Sequence, residues 1–326
     1  MHGKKRMALF GALALCLAVS ASAAPKVKPL PRPEPNPVVG IGRGGDWDSV
    51  TRQAIANAGG LDKIVKKGDV VLIKPNLCVS PAAGDAKTTD YRVVKAIAEI
   101  VQRLGASRVI IAEGGFSGNA FSKTELALNK YDAIPGVEFL DINAVDKQDS
   151  YELTPPKSLI GGKKLFIPKA YMDADVVITA AKLKTHKLPE AVISLSLKNA
   201  FGVPAGKVYG GYGYKAGLHN FPLSETILEI NKIRMPDFAV IDGIVGGEGY
   251  GPANNTPVKS EVVFAGKDLV AVDTVALTFM GFDVAKVPHV ALAAKEELGN
   301  GDLSSIKVVG ADLAAIKMDF KSMFKR

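Results

Sequence analysis

Cysteine is almost missing from this chain: 326 residues hold two, Cys16 and Cys78, and no Cys-x-x-Cys pair. That excludes ordinary iron–sulfur clusters and structural zinc sites, which need clustered thiolates. Cys78 follows an apolar run and reads as a packed thiol rather than a nucleophile. Aromatic residues make up 7% of the chain, with one tryptophan, so the basic stripe interleaved with aromatics that nucleic-acid binders use is absent. Internal repeats are also lacking. Histidine is scarce, at His2, His186, His219 and His289, so any proton-transfer or metal chemistry has few candidates.

What is present begins with a leader-like pattern. Lys4, Lys5 and Arg6 precede the apolar stretch 7–19, and Ala21-Ser22-Ala23 offers small residues for cleavage. The spacing predicts a secretory signal peptide over 1–23, too short in its apolar part for a transmembrane helix. No Arg-Arg pair marks the twin-arginine route. The expectation is an exported protein, periplasmic or secreted, with no stable membrane span after processing. Loss of that leader removes three cations and no acid, which lowers the net charge from +8 to +5. Such an excess suits a small anionic partner and not nucleic acid. Six prolines between Pro25 and Pro37 make 24–37 an extended linker. The body is expected over 38–315, with a C-terminal tail at 316–326.

Within the body, apolar β-branched runs alternate with amphipathic segments. Strands are predicted at 38–41, 69–73, 108–112, 137–141, 174–180, 237–242, 261–265 and 306–309. Helices are predicted at 47–57, 91–104, 122–129, 189–197, 223–234, 269–280 and 287–298. This order implies crossover units and an α/β fold: a mostly parallel, doubly wound sheet, with room for a smaller second lobe. Gly40-Ile-Gly42-Arg-Gly-Gly45 matches a dinucleotide pattern, but its strand is short and the next one ends in Lys74 rather than an acid, so the match is set aside.

In such sheets ligands bind beyond the carboxyl ends of the strands. Four ends carry polar or glycine-rich residues: Lys74-Pro75-Asn76, Glu113-Gly114-Gly115, Lys182-Leu183-Lys184-Thr185-His186, and Asp242 through Glu248. The lysine cluster continues to Lys198 and Asn199. Cations at that density point to an anion or a developing negative charge. Lys184 and Lys198 would neutralise a substrate, His186 would serve as acid–base or metal ligand, and Glu113 or Glu248 would be the carboxylate partner. Lys74, Asn76, Lys182, Asn199, Gly114, Gly115 and Glu248 are the expected substrate contacts. A divalent metal on His186, His219 and Asp242 is the alternative use of the same residues. The segment 201–219, rich in glycine with Tyr209, Tyr212 and Tyr214, reads as a flap. Asp273 is an acid in an apolar helix and needs a partner.

The pieces Val71-Leu-Ile-Lys-Pro-Asn-Leu77, Lys184-Thr-His186, Leu197-Lys198-Asn199 with Phe201-Gly202, His219, Asp242 to Pro252 and Ala271-Val-Asp273 together resemble the family catalogued as domain of unknown function 362. Many relatives carry ferredoxin-like cysteine segments. This chain has none, so an iron–sulfur role is not expected. The layout also resembles nickel-pincer lactate racemases, which use a lysine and a histidine. The resemblance leaves two readings open: an exported enzyme acting on a small anion, with or without a metal, and a protein that binds an anion or metal without chemistry.

Overall fold

The computed structural model describes residues 24–30, 32–78, 85–115, 118–155, 157–211 and 215–324. The expected signal peptide lies outside them. The chain runs β1 (Val38–Arg43), α1 (Trp47–Asn57), β2 (Val70–Pro75), α2 (Tyr91–Arg103), β3 (Arg108–Glu113), α3 (Lys123–Asn129) and β4 (Glu138–Asp141). It continues through β5 (Ser150–Leu153), β6 (Leu165–Pro168), α4 (Lys169–Asp173), β7 (Val176–Thr185), β8 (Ile193–Ser194), α5 (Ser196–Asn199) and α6 (Leu223–Ile233). The last part is β9 (Phe238–Tyr250), β10 (Asn254–Gly266), α7 (Leu269–Phe279), α8 (Pro288–Lys295), β11 (Lys307–Gly310) and α9 (Leu313–Ile316).

Nine strands form one sheet in the order β11-β1-β10-β9-β7-β2-β3-β4, with β8 paired to β7. Along that path every strand but β10 points the same way. The fold is therefore α/β with a mostly parallel sheet. A separate antiparallel pair, β5–β6, stands beside it.

Both faces of the sheet are buried, and the sequence shows why. Val71 and Ile73 of β2, Val176 and Ile178 of β7, and Phe238 and Val240 of β9 pack into one core with α1 and α2. Their alternate neighbours Leu72, Val177, Ala239 and Ile241 pack into the other, with α6, α7 and α8. A period of two with apolar residues on both sides is the mark of a doubly covered strand. In α2, Val94, Ile97, Ala98 and Val101 are buried, and the Asp90 side chain caps the helix by accepting from Arg92 N. Gly40 and Gly42 serve packing: a Cβ on either would lie 2.2 or 2.1 Å from a carbonyl oxygen of α1.

Three expectations need correction. The strand predicted at 174–180 continues to Thr185, because β8 and β9 supply ladder partners on its two edges. Lys182 and Lys184 are thus in the strand, not after it. The helix predicted at 189–197 is instead a turn, the short β8 and the short α5. Pro189 and the β-branched pair Val192-Ile193 oppose a helix there, and β7 offers Ile193 and Ser194 a ladder. The strand predicted at 237–242 likewise continues, through the glycine-rich stretch to Tyr250, because β10 pairs with it along that length.

The two terminal segments are docked. Lys26 and Lys28 ion-pair with Asp175 and Asp237, which precede β7 and β9, each at 2.8 Å. Near the other terminus, Phe320 is buried and its N–H donates to Met280 O, while Gly249 N donates to Lys321 O. No helix among the described residues is long and apolar enough to cross a membrane.

Candidate functional site

Three parallel strand ends open into one cavity of about 130 Å³. β2 contributes Lys74 and, past its end, Asn76 and Cys78; β3 contributes Glu113, followed by Gly115. From β7 come Lys184 and, one residue beyond it, His186. The chain after β8 adds Lys198 and Asn199 on α5, then Phe201 and Gly202, and the loop before α6 adds Lys215 and His219.

Four lysines therefore line a space that holds one carboxylate, Glu113. Three of them are anchored. Lys74 Nζ donates to Glu113 Oε2 at 2.6 Å, to Asn199 Oδ1 at 3.2 Å and to Pro75 O at 3.1 Å. Lys184 Nζ donates to Lys87 O at 2.6 Å. Lys215 Nζ donates to Gly202 O and, at 2.8 Å, to Pro204 O, which ties the loop down. Lys198 is different. Its Nζ makes no hydrogen bond or ion pair with the described residues and lies 5.9 Å from the Phe201 ring centroid.

Glu113 and its lysine are tightly held. Gly114 N donates to Glu113 Oε1 at 2.8 Å, and a Cβ on Gly202 would sit 2.9 Å from both that oxygen and Lys74 Nζ. Only glycine leaves room for the pair. Asn199 is equally committed, its Nδ2 donating to Lys74 O at 3.0 Å and Thr179 Oγ1 at 2.8 Å. These side chains form the rigid wall.

Electrostatics follow from that inventory. Burial, with Lys184 nearby, brings the Lys198 ammonium down to about 8. Burial, with Lys74 adding to it against Glu113, lowers Lys215 to about 7. Lys184 is also lowered, mainly by burial. Each cation is disfavoured for want of an opposite charge.

The two histidines present opposite faces. Leu188 N donates to His186 Nδ1 at 3.1 Å, so the ring proton sits on Nε2. Burial, then Lys198 and Lys184, depress His186 to about 2 and keep it neutral. His186 is a neutral donor. His219 Nδ1 lies 3.2 Å from Lys215 O, a group that can only accept, so its proton is on Nδ1 and Nε2 offers a lone pair. The Phe201 ring meets it edge-on at 4.9 Å.

Several expected site residues lie elsewhere. Lys182 and Asp242 do not line the cavity: they form a fully buried ion pair at 2.8 Å, and Asp242 also accepts from Asp90 N at 2.9 Å. Lys182 shares a face of β7 with Lys184 but lies one pleat deeper, where the sheet still covers it. Glu248 accepts from Lys321 N at 2.8 Å, away from the cavity. Gly114 stands behind Glu113 rather than on the wall. Tyr209 accepts from Phe166 N at 3.2 Å, and Tyr212 and Tyr214 lie outside the described residues.

The metal set expected from sequence does not assemble. Asp242 is committed to Lys182, and a metal on His186 Nε2 needs the ring proton on Nδ1, which Leu188 N–H occupies. No group of three His, Cys, Asp or Glu able to hold a metal occurs among the described residues.

Among the cavity residues not singled out for the site in the sequence are Lys215 and Cys78. Lys215 sits in a glycine- and tyrosine-rich stretch where a cation reads as solvated. Cys78, read as packed, is buried yet lines the cavity.

Fold and site together define an α/β protein with a cationic cavity at the carboxyl ends of its parallel strands. The chain belongs to the family described as a domain of unknown function (DUF362), whose model matches residues 71–278. It is 33% identical over 248 residues to a thylakoid-associated protein of Synechocystis sp. (strain ATCC 27184 / PCC 6803 / Kazusa), covering 76% of this chain and 74% of that protein. Among solved structures, the lactate racemase apoprotein of Thermoanaerobacterium thermosaccharolyticum is similar at a TM-score of 0.47 and 16% identity, over 72% of this chain and 54% of that one. A Thermotoga maritima protein is similar at a TM-score of 0.41 and 13% identity, over 66% of this chain and 54% of its own. The chain spans about half the length of each of these two solved chains.

Proposed function

We propose that this protein binds a small oxyanion in the lysine-lined cavity and acts on it by proton transfer. One observation carries the reading. Lys198 faces the cavity without a hydrogen bond or ion pair to any described residue, and the one carboxylate there is already engaged by Lys74. A half-buried ammonium that faces other cations and no free carboxylate is disfavoured, and an anion supplies the missing partner. Lys198 and Lys184 neutralise the ligand, His186 donates a hydrogen bond from its neutral Nε2–H, and His219 Nε2 takes a proton. The Lys74–Glu113 pair keeps the wall in place.

The test is thermal unfolding at low ionic strength with phosphate, sulfate and oxalate. At least one of these raises the melting temperature of the native protein. Lys198→Met loses that response while its ligand-free form melts no lower than the parent, because an unpaired charge has been removed. If none of the three stabilises the protein, or Lys198→Met responds like the parent, the reading is wrong.

A further inference from the structure

Beyond the lysine cavity lies a second, larger chamber of about 540 Å³. The two share His186, His219 and Pro252, so these residues form a throat between them. The chambers differ in chemistry. Lysines crowd the inner one, whereas Leu188, Ala216, Tyr250 and Ala253 give the outer one a largely carbon wall. Its cation, Lys187, lies over the Tyr250 ring, 5.4 Å from the centroid.

We infer that the natural ligand is an organic anion of two parts, an oxyanion head in the inner chamber and an apolar body, aromatic or alkyl, in the outer one. This rests on the anion reading above and narrows it. An inorganic anion would fill the lysine cavity and leave the carbon wall facing water, which gains nothing. A molecule that spans the throat satisfies the charges and removes Leu188 and Tyr250 from solvent. The Tyr250 side chain has reason to be covered: the residue is 50% exposed, one of few large apolar groups so placed. The bond joining head to body then passes His186 and His219. There the Nε2–H of His186 can donate a hydrogen bond to that linkage, and the Nε2 lone pair of His219 can take a proton from it.

Calorimetric titration with matched probes tests this: methylphosphonate against benzylphosphonate, and acetate against phenylacetate. In at least one pair the aromatic member binds roughly tenfold tighter or more, as expected for burying a ring. Tyr250→Ala and Leu188→Asn, both at the chamber rim, bring that ratio toward unity, and Lys198→Met weakens both members. Equal affinities within each pair, or a ratio that survives both substitutions, overturn the two-part ligand. The anion reading then stands if methylphosphonate or acetate still depends on Lys198. If no probe binds the native protein, both readings fall together.

Discussion

Lys182 and Lys184 lie two residues apart on one face of β7, yet they do different work. Lys182 is sealed against Asp242 with both side chains fully buried. Lys184 reaches the cavity and leans on a single carbonyl. Removing one member of a buried ion pair leaves the other uncompensated and costs about 3–5 kcal/mol. Lys182→Met therefore lowers the unfolding free energy measured in urea by that much and leaves the anion affinity of the folded protein unchanged, whereas Lys198→Met does the reverse. Comparable melting temperatures for the two variants would contradict this division. The sequence shows both lysines in the right alternation but not where the sheet stops covering them. That boundary depends on β8 and on the β9–β10 ladder, and β9 begins more than fifty residues downstream of Lys184. The residues Lys74, Asn76, Glu113, Lys184, His186, Lys198 and Asn199 were readable because they follow or end apolar runs, and His219 because histidine is scarce in this chain. Lys215 was not, because glycine-rich surroundings hide burial.

Among elements, α5 is the critical one. It is a single turn, Ser196–Asn199, that carries both Lys198 and Asn199, and its own preceding residue supplies no cap. The cap comes from α7. Asp273 accepts from Ser196 N at 2.9 Å, Leu197 N at 3.0 Å and Ser196 Oγ at 2.6 Å. Asp273→Ala strands two buried N–H groups at about 1–3 kcal/mol each. It should lower the melting temperature and weaken oxalate binding, with Asp273→Asn milder on both counts. An unchanged affinity in Asp273→Ala would show that the cap does not position Lys198. The need of Asp273 for a partner was legible from its place in an apolar helix. The identity of that partner was not, since the predicted helix at 189–197 hid the turn that it caps.

Over the whole molecule, the α/β class was legible because apolar runs buried on both faces differ plainly from amphipathic helices. The antiparallel insertion of β10 was not, since glycine-rich 246–250 imitates a loop. Titration also acts at this scale. Burial depresses His186 to about 2 and His289 to about 3, each with Lys198 also contributing. Both are neutral in the fold and protonate more readily when unfolded. Stability is thus fully present above about pH 6.5 and lost as pH falls below it, by about 1.4 kcal/mol per pH unit per group. Urea unfolding at pH 7.5 and pH 5 measures this, and His289→Leu should flatten the acid limb. An unchanged slope in that variant would remove His289 from the account.

The alkaline side bears on the anion directly. Lys215 and Lys198, lowered to about 7 and 8 by burial and neighbouring cations, are partly neutral at pH 8 without a ligand. A bound anion restores their charge. The most direct measurement is calorimetry of oxalate binding at pH 8 in buffers of different ionisation enthalpy, repeated at pH 6. The account predicts net proton uptake at pH 8 that shrinks at pH 6 and is reduced in Lys198→Met. Binding with no proton exchange at pH 8, or with proton release, would contradict a cavity of lysines awaiting an anion.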